Sequence, residues 1–266
     1  MNRIDKKFQE LRDHGARAFM PYLCAGDPIP ELTSKLLLTL VEAGADLIEL
    51  GVPFSDPIAD GPTIQRASER ALTHNISLHQ ILEIVASVRK ETDIPIALMS
   101  YYNPIFRMGE EIFCKAAQAA GVDGVIVPDL PPEQAKPLLE VAPNYNLATI
   151  FLAAPISPPE RMKLIASVST GFIYCVSVTG VTGARGTLSD EIAPMIAELR
   201  KHTDKPISVG FGVSTPEQAA QVVQIADGAI VGSAIVNVIE EHINDEAKLL
   251  AAVKQFASDL AVGVKA

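Results

Sequence analysis

Eight short apolar runs recur along the chain, at 18–23, 47–50, 94–99, 123–128, 147–152, 171–176, 206–210 and 228–232, nearly all separated by segments of helical periodicity. Runs that stay apolar suit strands covered on both faces, and helices between them make those strands parallel. Internal repetition supports the reading. Ala-Gly-Ala-Asp-Leu-Ile-Glu-Leu (43–50), Ala-Gly-Val-Asp-Gly-Val-Ile-Val (120–127) and Ala-Asp-Gly-Ala-Ile-Val (226–231) share one design. A helix ends, usually at glycine, an aspartate turns the chain and a strand begins. Arg-Lys-Glu-Thr-Asp-Ile-Pro-Ile (89–96) and Arg-Lys-His-Thr-Asp-Lys-Pro-Ile (200–207) form a second repeated lead into a strand. Eight βα units match a (β/α)₈ barrel, whereas a doubly wound sheet usually has fewer strands. The expected fold is α/β: a single (β/α)₈ TIM barrel domain over 1–266, with an extra N-terminal helix and extended loops after strands 2 and 6.

The extra residues of those loops, 51–76 and 177–188, follow the ends of their strands and therefore lie on the C-terminal face, where barrel enzymes keep their sites. A hydrophobic content of 48% allows a sizeable core, and a net charge of −10 argues against nucleic acid or an anionic membrane surface as partner. Cys24, Cys114 and Cys175 are scattered without CxxC spacing, so neither a disulfide framework nor a zinc site is supported. The first residues lack the apolar core of a signal peptide, and no apolar run reaches membrane-spanning length. The expectation is a reduced, soluble, cytoplasmic protein.

The stretch 46–64, Asp-Leu-Ile-Glu-Leu-Gly-Val-Pro-Phe-Ser-Asp-Pro-Ile-Ala-Asp-Gly-Pro-Thr-Ile, places one carboxylate, Glu49, inside an apolar strand. Period-2 geometry puts Leu47 and Glu49 on one face, Ile48 and Leu50 on the other. A buried carboxyl either finds a donor or takes up a proton, and the second state suits an acid/base group. Asp56 and Asp60 follow in the adjoining loop. Neither lysine nor histidine ends any proposed strand, which argues against a Schiff base and against a His-ligated metal. The expected chemistry is proton transfer without a metal. Gly210-Phe211-Gly212-Val213-Ser214 after strand 7 and Gly232-Ser233-Ala234 after strand 8 suit a phosphate cradle, although tight βα turns alone use glycine. Gly183 could complete it. Its loop, 177–187, carries three glycines and is expected to act as a lid with Thr182 or Arg185 as the contact, the plainer reading being slack between elements.

Leu-Ile-Glu-Leu-Gly-Val-Pro-Phe-Ser-Asp-Pro-Ile-Ala-Asp-Gly-Pro-Thr-Ile-Gln (47–65) resembles the signature of the tryptophan synthase α-chain family. Pro-Tyr-Leu-Cys-Ala-Gly-Asp-Pro, Val-Thr-Gly-Ala-Arg-Gly, Gly-Phe-Gly-Val-Ser and Gly-Ser-Ala-Ile-Val extend the resemblance essentially end to end. It implies cleavage of indole-3-glycerol phosphate into indole and glyceraldehyde 3-phosphate, with Glu49 and Asp60 as the acid/base pair and Tyr174 as an active-site tyrosine. By the same resemblance Tyr22, Tyr101, Ile126 and Phe211 line the slot for the indole ring, with Tyr22 standing where phenylalanine is common. Thr182, Gly183, Gly212, Gly232 and Ser233 complete the substrate site.

The resemblance further implies a β-chain partner that carries pyridoxal phosphate, an α₂β₂ complex that channels indole, and Asp56 at the interface. No cofactor is expected in this chain. The alternatives are a free-standing indole-3-glycerol phosphate lyase that releases indole, and a non-catalytic allosteric subunit. Retention of both Glu49 and Asp60 weighs against the latter.

Overall fold

The computed structural model describes residues 1–176, 188–210 and 212–265, with the side chains of 188–191 excluded. Helix α1 (Arg3–Asp13) precedes β1 (Ala18–Cys24), and α2 (Pro30–Glu42) leads to β2 (Ile48–Gly51). Two helices, α3 (Pro62–Leu72) and α4 (Leu78–Val88), separate β2 from β3 (Ile96–Met99). Another pair, α5 (Tyr102–Met108) and α6 (Glu110–Ala120), leads to β4 (Gly124–Ile126). Then come α7 (Lys136–Val141), β5 (Ala148–Ile150), β6 (Leu152–Ala153), α8 (Pro159–Val168) and β7 (Ile173–Val176). The chain continues with α9 (Leu188–Arg200), β8 (Ile207–Gly210), α10 (Pro216–Val223) and β9 (Gly228–Val231), and closes with α11 (Ser233–Glu241) and α12 (Glu246–Lys265).

All eight expected runs form parallel strands, but the fifth is divided into β5 and β6. The sheet order is β5-β4-β3-β2-β1-β9-β8-β7-β6. Its two ends are consecutive in the chain and separated only by Phe151, so the order closes into a barrel. Backbone hydrogen bonds complete the seam: Thr170 N–H donates to the Thr149 carbonyl at 2.9 Å and Tyr174 N–H to the Phe151 carbonyl at 3.1 Å.

The alternation expected for β2 holds. Leu47 packs inside the barrel with Met20, Ala97, Ile126, Ile150, Phe172 and Ile230, while Ile48 and Leu50 face the helices. Ile4 and Phe8 of α1 join the interior cluster, with the Phe8 and Phe172 ring centroids 5.8 Å apart. A Cβ at Gly171 would lie 3.2 Å from Ile4, so this glycine lets α1 approach closely. The N-terminal helix thus plugs one end of the barrel, leaving chemistry to the opposite mouth.

The repeated aspartates brace neighbouring strands. Asp46, Asp123 and Asp227 accept from the backbone N–H of Phe19, Ile96 and Ile207 at 3.0, 2.9 and 2.8 Å. Each also donates its own N–H to that residue's carbonyl. The elaboration expected after strand 2 is partly helical, since α3 lies within it. Helices α3, α5 and α11 are each the first helix after a strand, α3 following the loop that carries Asp60, and each precedes the helix that leads to the next barrel strand or, for α12, to Lys265. The expected extension after strand 6 falls at 177–187, outside the described residues.

Candidate active site

Glu49 sits in the middle of β2, in register with Tyr22 of β1 and Ala97 of β3. Its side chain is walled in: the residue is 1% exposed, and neither carboxyl oxygen has a hydrogen-bond partner of good geometry among the described residues. Burial is the main force that pushes its pKa up to about 8, with the nearby Tyr174 hydroxyl pulling back and the charge of Asp60 adding to the rise.

Asp60 lies at the end of a turn that its own loop constructs. Asp60 N–H donates to the Pro57 carbonyl at 3.1 Å, and Gln65 Nε2 donates to the Asp60 carbonyl at 2.8 Å. The Tyr101 hydroxyl accepts from Ala59 N–H at 2.8 Å and donates to Asp60 Oδ2 at 3.1 Å. Phe54 stacks on the Tyr101 ring with centroids 5.0 Å apart. Burial pushes Asp60 up to about 6, and the Tyr101 hydrogen bond holds it from rising further. At neutral pH the pair is therefore one protonated and one largely ionised carboxyl, separated by environment alone.

Two phenols overlie glycines on neighbouring strands. The Tyr22 hydroxyl rests against Gly51 of β2, and that of Tyr174 in β7 rests against Gly210 of β8; any side chain at either glycine would collide with it. Burial first, then surrounding ionisable groups that include Glu49, push both phenols well above their ordinary range. Both are neutral donors at working pH. Ile126 ends β4 opposite Met99 and is fully buried in the interior cluster, on the floor of the mouth.

On the other side, Gly232 caps α11, and its carbonyl accepts from Ile235 N–H at 2.9 Å and Val236 N–H at 3.1 Å. The N–H groups of Ser233 and Ala234 at the first turn have no helical acceptor, an arrangement that suits an anion. Ser233 is exposed, and Gly212 turns the chain after β8 with φ of 53°. A Cβ at Gly232 would lie 3.6 Å from that of Tyr22, which places this cradle beside the mouth. Thr182, Gly183, Arg185 and Phe211 lie outside the described residues.

Asp56 is exposed on the Asp60 loop, where it accepts from the Ser55 hydroxyl at 2.6 Å. Asp129 accepts from Tyr102 N–H at 2.8 Å, so it caps the first turn of α5 and ties together the loops after β3 and β4. Sequence reasoning missed the Tyr101–Asp60 bond and the part of Gln65. The first joins residues 41 apart and leaves no local trace. A glutamine five residues after Asp60 carried some signal, but only in hindsight of the turn.

The family profile described as "Tryptophan synthase alpha chain" matches residues 8–265. Among curated relatives, the tryptophan synthase alpha chain of Geotalea uraniireducens is 49% identical over 266 residues, covering 100% of this chain and 99% of that protein. That of Picosynechococcus is 49% identical over 261 residues, covering 98% of each. The crystal structure of tryptophan synthase subunit alpha from Legionella pneumophila superposes with a TM-score of 0.92 at 42% identity, covering 99% of this chain and 98% of that one. A Mycobacterium tuberculosis tryptophan synthase structure gives 0.91 at 37% identity, covering 100% and 99%. By sequence along nearly its whole length and by fold, this chain belongs to the tryptophan synthase α-chain family.

Proposed function

We propose that the chain is the α subunit of tryptophan synthase, a single barrel domain that cleaves indole-3-glycerol phosphate to indole and glyceraldehyde 3-phosphate. The observation that carries this reading is the pair of carboxyls in one barrel mouth, Glu49 held at about 8 and Asp60 at about 6. Retro-aldol cleavage needs both states at once. Protonated Glu49 delivers its proton to indole C3, turning that carbon tetrahedral and leaving the ring as an indolenine cation. Ionised Asp60 accepts a hydrogen bond from the ring N–H and stabilises the cation as it forms. Glu49, now a carboxylate, takes the proton from the hydroxyl on the adjoining glycerol carbon. The electrons of that O–H bond make the aldehyde carbonyl, and those of the breaking C–C bond restore the aromatic ring. Glu49 ends protonated, ready for the next turnover.

Tyr174 supplies a neutral donor near Glu49, Tyr22, Tyr101, Ile126 and Phe211 wall the indole slot, Gly212, Gly232, Ser233 and Gly183 hold the phosphate, and Thr182 is the substrate contact of the 177–187 loop. No step calls for a cofactor in this chain. The partner is a β chain in an α₂β₂ complex, with pyridoxal phosphate on the β side, and the setting is the cytoplasm. Loops and a helix that follow the strands carry the apolar side chains of Ile58, Phe106 and Ile156 at 84%, 64% and 76% exposure, along with the exposed Asp56, which suits contact with such a partner.

The test is indole release from indole-3-glycerol phosphate by the purified chain, with and without a β chain. Turnover that rises by about tenfold or more on mixing supports an allosterically driven subunit, since partner binding would favour the assembled site. Fast turnover alone would make the chain a free-standing lyase. Glu49→Gln should lower turnover by more than about a hundredfold while leaving substrate binding largely intact. Turnover within tenfold of the unmodified chain would remove Glu49 from the acid/base role.

A further inference from the structure

Behind the site, an ion network joins three separate elements. Asp27, in the loop after β1, is fully buried and takes both arms of the Arg70 fork, Nε to Oδ1 at 2.7 Å and Nη2 to Oδ2 at 3.0 Å. The remaining nitrogen, Nη1, donates to Glu240 of α11 at 2.9 Å. Arg66, one turn earlier on α3, grips the same Glu240 from the solvent side through Nε at 2.9 Å and Nη2 at 2.7 Å. His74 Nε2 contacts the Pro28 carbonyl at 3.0 Å and fastens the end of α3 to the same loop.

The two helices so joined are those that begin at opposite halves of the site. Helix α3 starts two residues after Asp60, and α11 starts at Ser233 in the phosphate cradle. Each is the first helix after its strand and has another helix after it, so the pattern that sets a βα unit does not by itself fix their separation. We propose that Arg70 is a positioning residue that locks the Asp60 loop and the phosphate cradle to each other through Asp27 and Glu240. A guanidinium suits this because its planar fork holds one carboxylate bidentately and still presents a nitrogen to another. A lysine has one ammonium and cannot fix both directions. Arg70 itself touches neither the acid nor the anion site, so its influence must travel through the two helices.

This inference rests on the proposed lyase activity, and the test separates the two. Turnover by the unmodified chain with its β partner establishes the activity; ratios for the variants then report the clasp. The variants are Arg70→Lys and Glu240→Gln, with Arg66→Gln as the rim control. The readouts are kcat, the acid limb of the pH–rate profile, and inhibition by glycerol 3-phosphate, which probes the phosphate end alone. Arg70→Lys should lower kcat by about tenfold and weaken glycerol 3-phosphate by about tenfold, with the acid limb displaced, because misplacing reacting groups by an ångström or less is costly. Glu240→Gln should shift both ends in the same sense by less. Arg66→Gln should stay within about twofold, as exposed ion pairs contribute little. A loss confined to thermal stability, with kcat, inhibition and acid limb of folded Arg70→Lys within twofold of the unmodified chain, would overturn the proposal. So would a shift at one end only, because a clasp must move both.

Discussion

Glu49 and Asp60 have nearly the same intrinsic acidity, and what divides them is how deeply each is buried and how well its charge is met. Glu49 is walled in, has no hydrogen bond of good geometry among the described residues and faces the charge of Asp60, so the pull of the nearby Tyr174 hydroxyl only partly offsets its burial; Asp60 is less enclosed and has the Tyr101 hydroxyl at 3.1 Å. The reaction needs the first protonated and the second ionised, so kcat/KM should rise with pH through about 6 and fall through about 8. Replacing Tyr101 by phenylalanine removes a hydrogen bond that favours the charged form of Asp60. Its pKa then rises, and the acid limb should move to higher pH while the alkaline limb stays close to its place. A pH–rate profile of Tyr101→Phe decides the matter, and an unmoved acid limb would mean that the hydroxyl does not govern Asp60. Glu49 was legible in the sequence, because a Glu inside an apolar run stands out, whereas Asp60 was singled out from Asp56 only by the family resemblance. The donor that helps separate the pair was not legible, since Tyr101 reaches Asp60 from another βα unit.

At the level of the elements, the repeated Ala-Gly-x-Asp segments were legible as strand starts, and the structure gives the aspartate its physical task. It bonds the first residues of the adjacent strand, fixing register where the ladder would otherwise fray. The task is the same at three places but the surroundings differ. Asp123 is almost completely buried and also holds Arg89 at 2.7 Å and Arg3 at 3.0 Å, whereas Asp227, bound to Arg200, is partly exposed. Asp123→Ala should therefore cost about 3 kcal/mol, because it strands a buried guanidinium and a strand N–H. Asp227→Ala should cost nearer to about 1 kcal/mol, because water can reach what it leaves. Equal losses in denaturant unfolding would show that the register bond, common to both, outweighs the charges. The division of the fifth strand at Phe151 had no counterpart in the sequence, where 147–152 forms one unbroken apolar run. An apolar run shows that a segment is buried, and says nothing of where its hydrogen-bond partners change. The ends of the sheet order meet at this break, so it reflects closure of the whole ring.

For the whole molecule, burying an unpaired acid links stability to pH with a definite sign. The Glu49 carboxyl titrates near 4.5 when exposed and at about 8 in the folded chain, so between those values the native state binds more protons than the unfolded one. Stability then falls as pH rises through this window, and below it the penalty is absent. Other carboxyls also shift, Asp60, Asp27 and Asp123 upward and Glu198 and Glu240 downward, so the net curve of the unmodified chain mixes several contributions. Comparison with Glu49→Gln isolates that of Glu49 together with its coupling to Asp60, because the rest are common to both proteins. The substituted chain should gain little at pH 4 and progressively more towards pH 9, where a shift of this size corresponds to on the order of 5 kcal/mol at about 1.4 kcal/mol per unit. Some of that gain will be lost to the buried amide, whose own polar atoms need partners. Chemical denaturation across that range measures the difference directly. A gap that does not widen with pH would mean that Glu49 ionises in the fold as easily as in the unfolded chain. It would then be unprotonated at neutral pH, and the acid that starts the cleavage would have to be sought elsewhere in the barrel mouth.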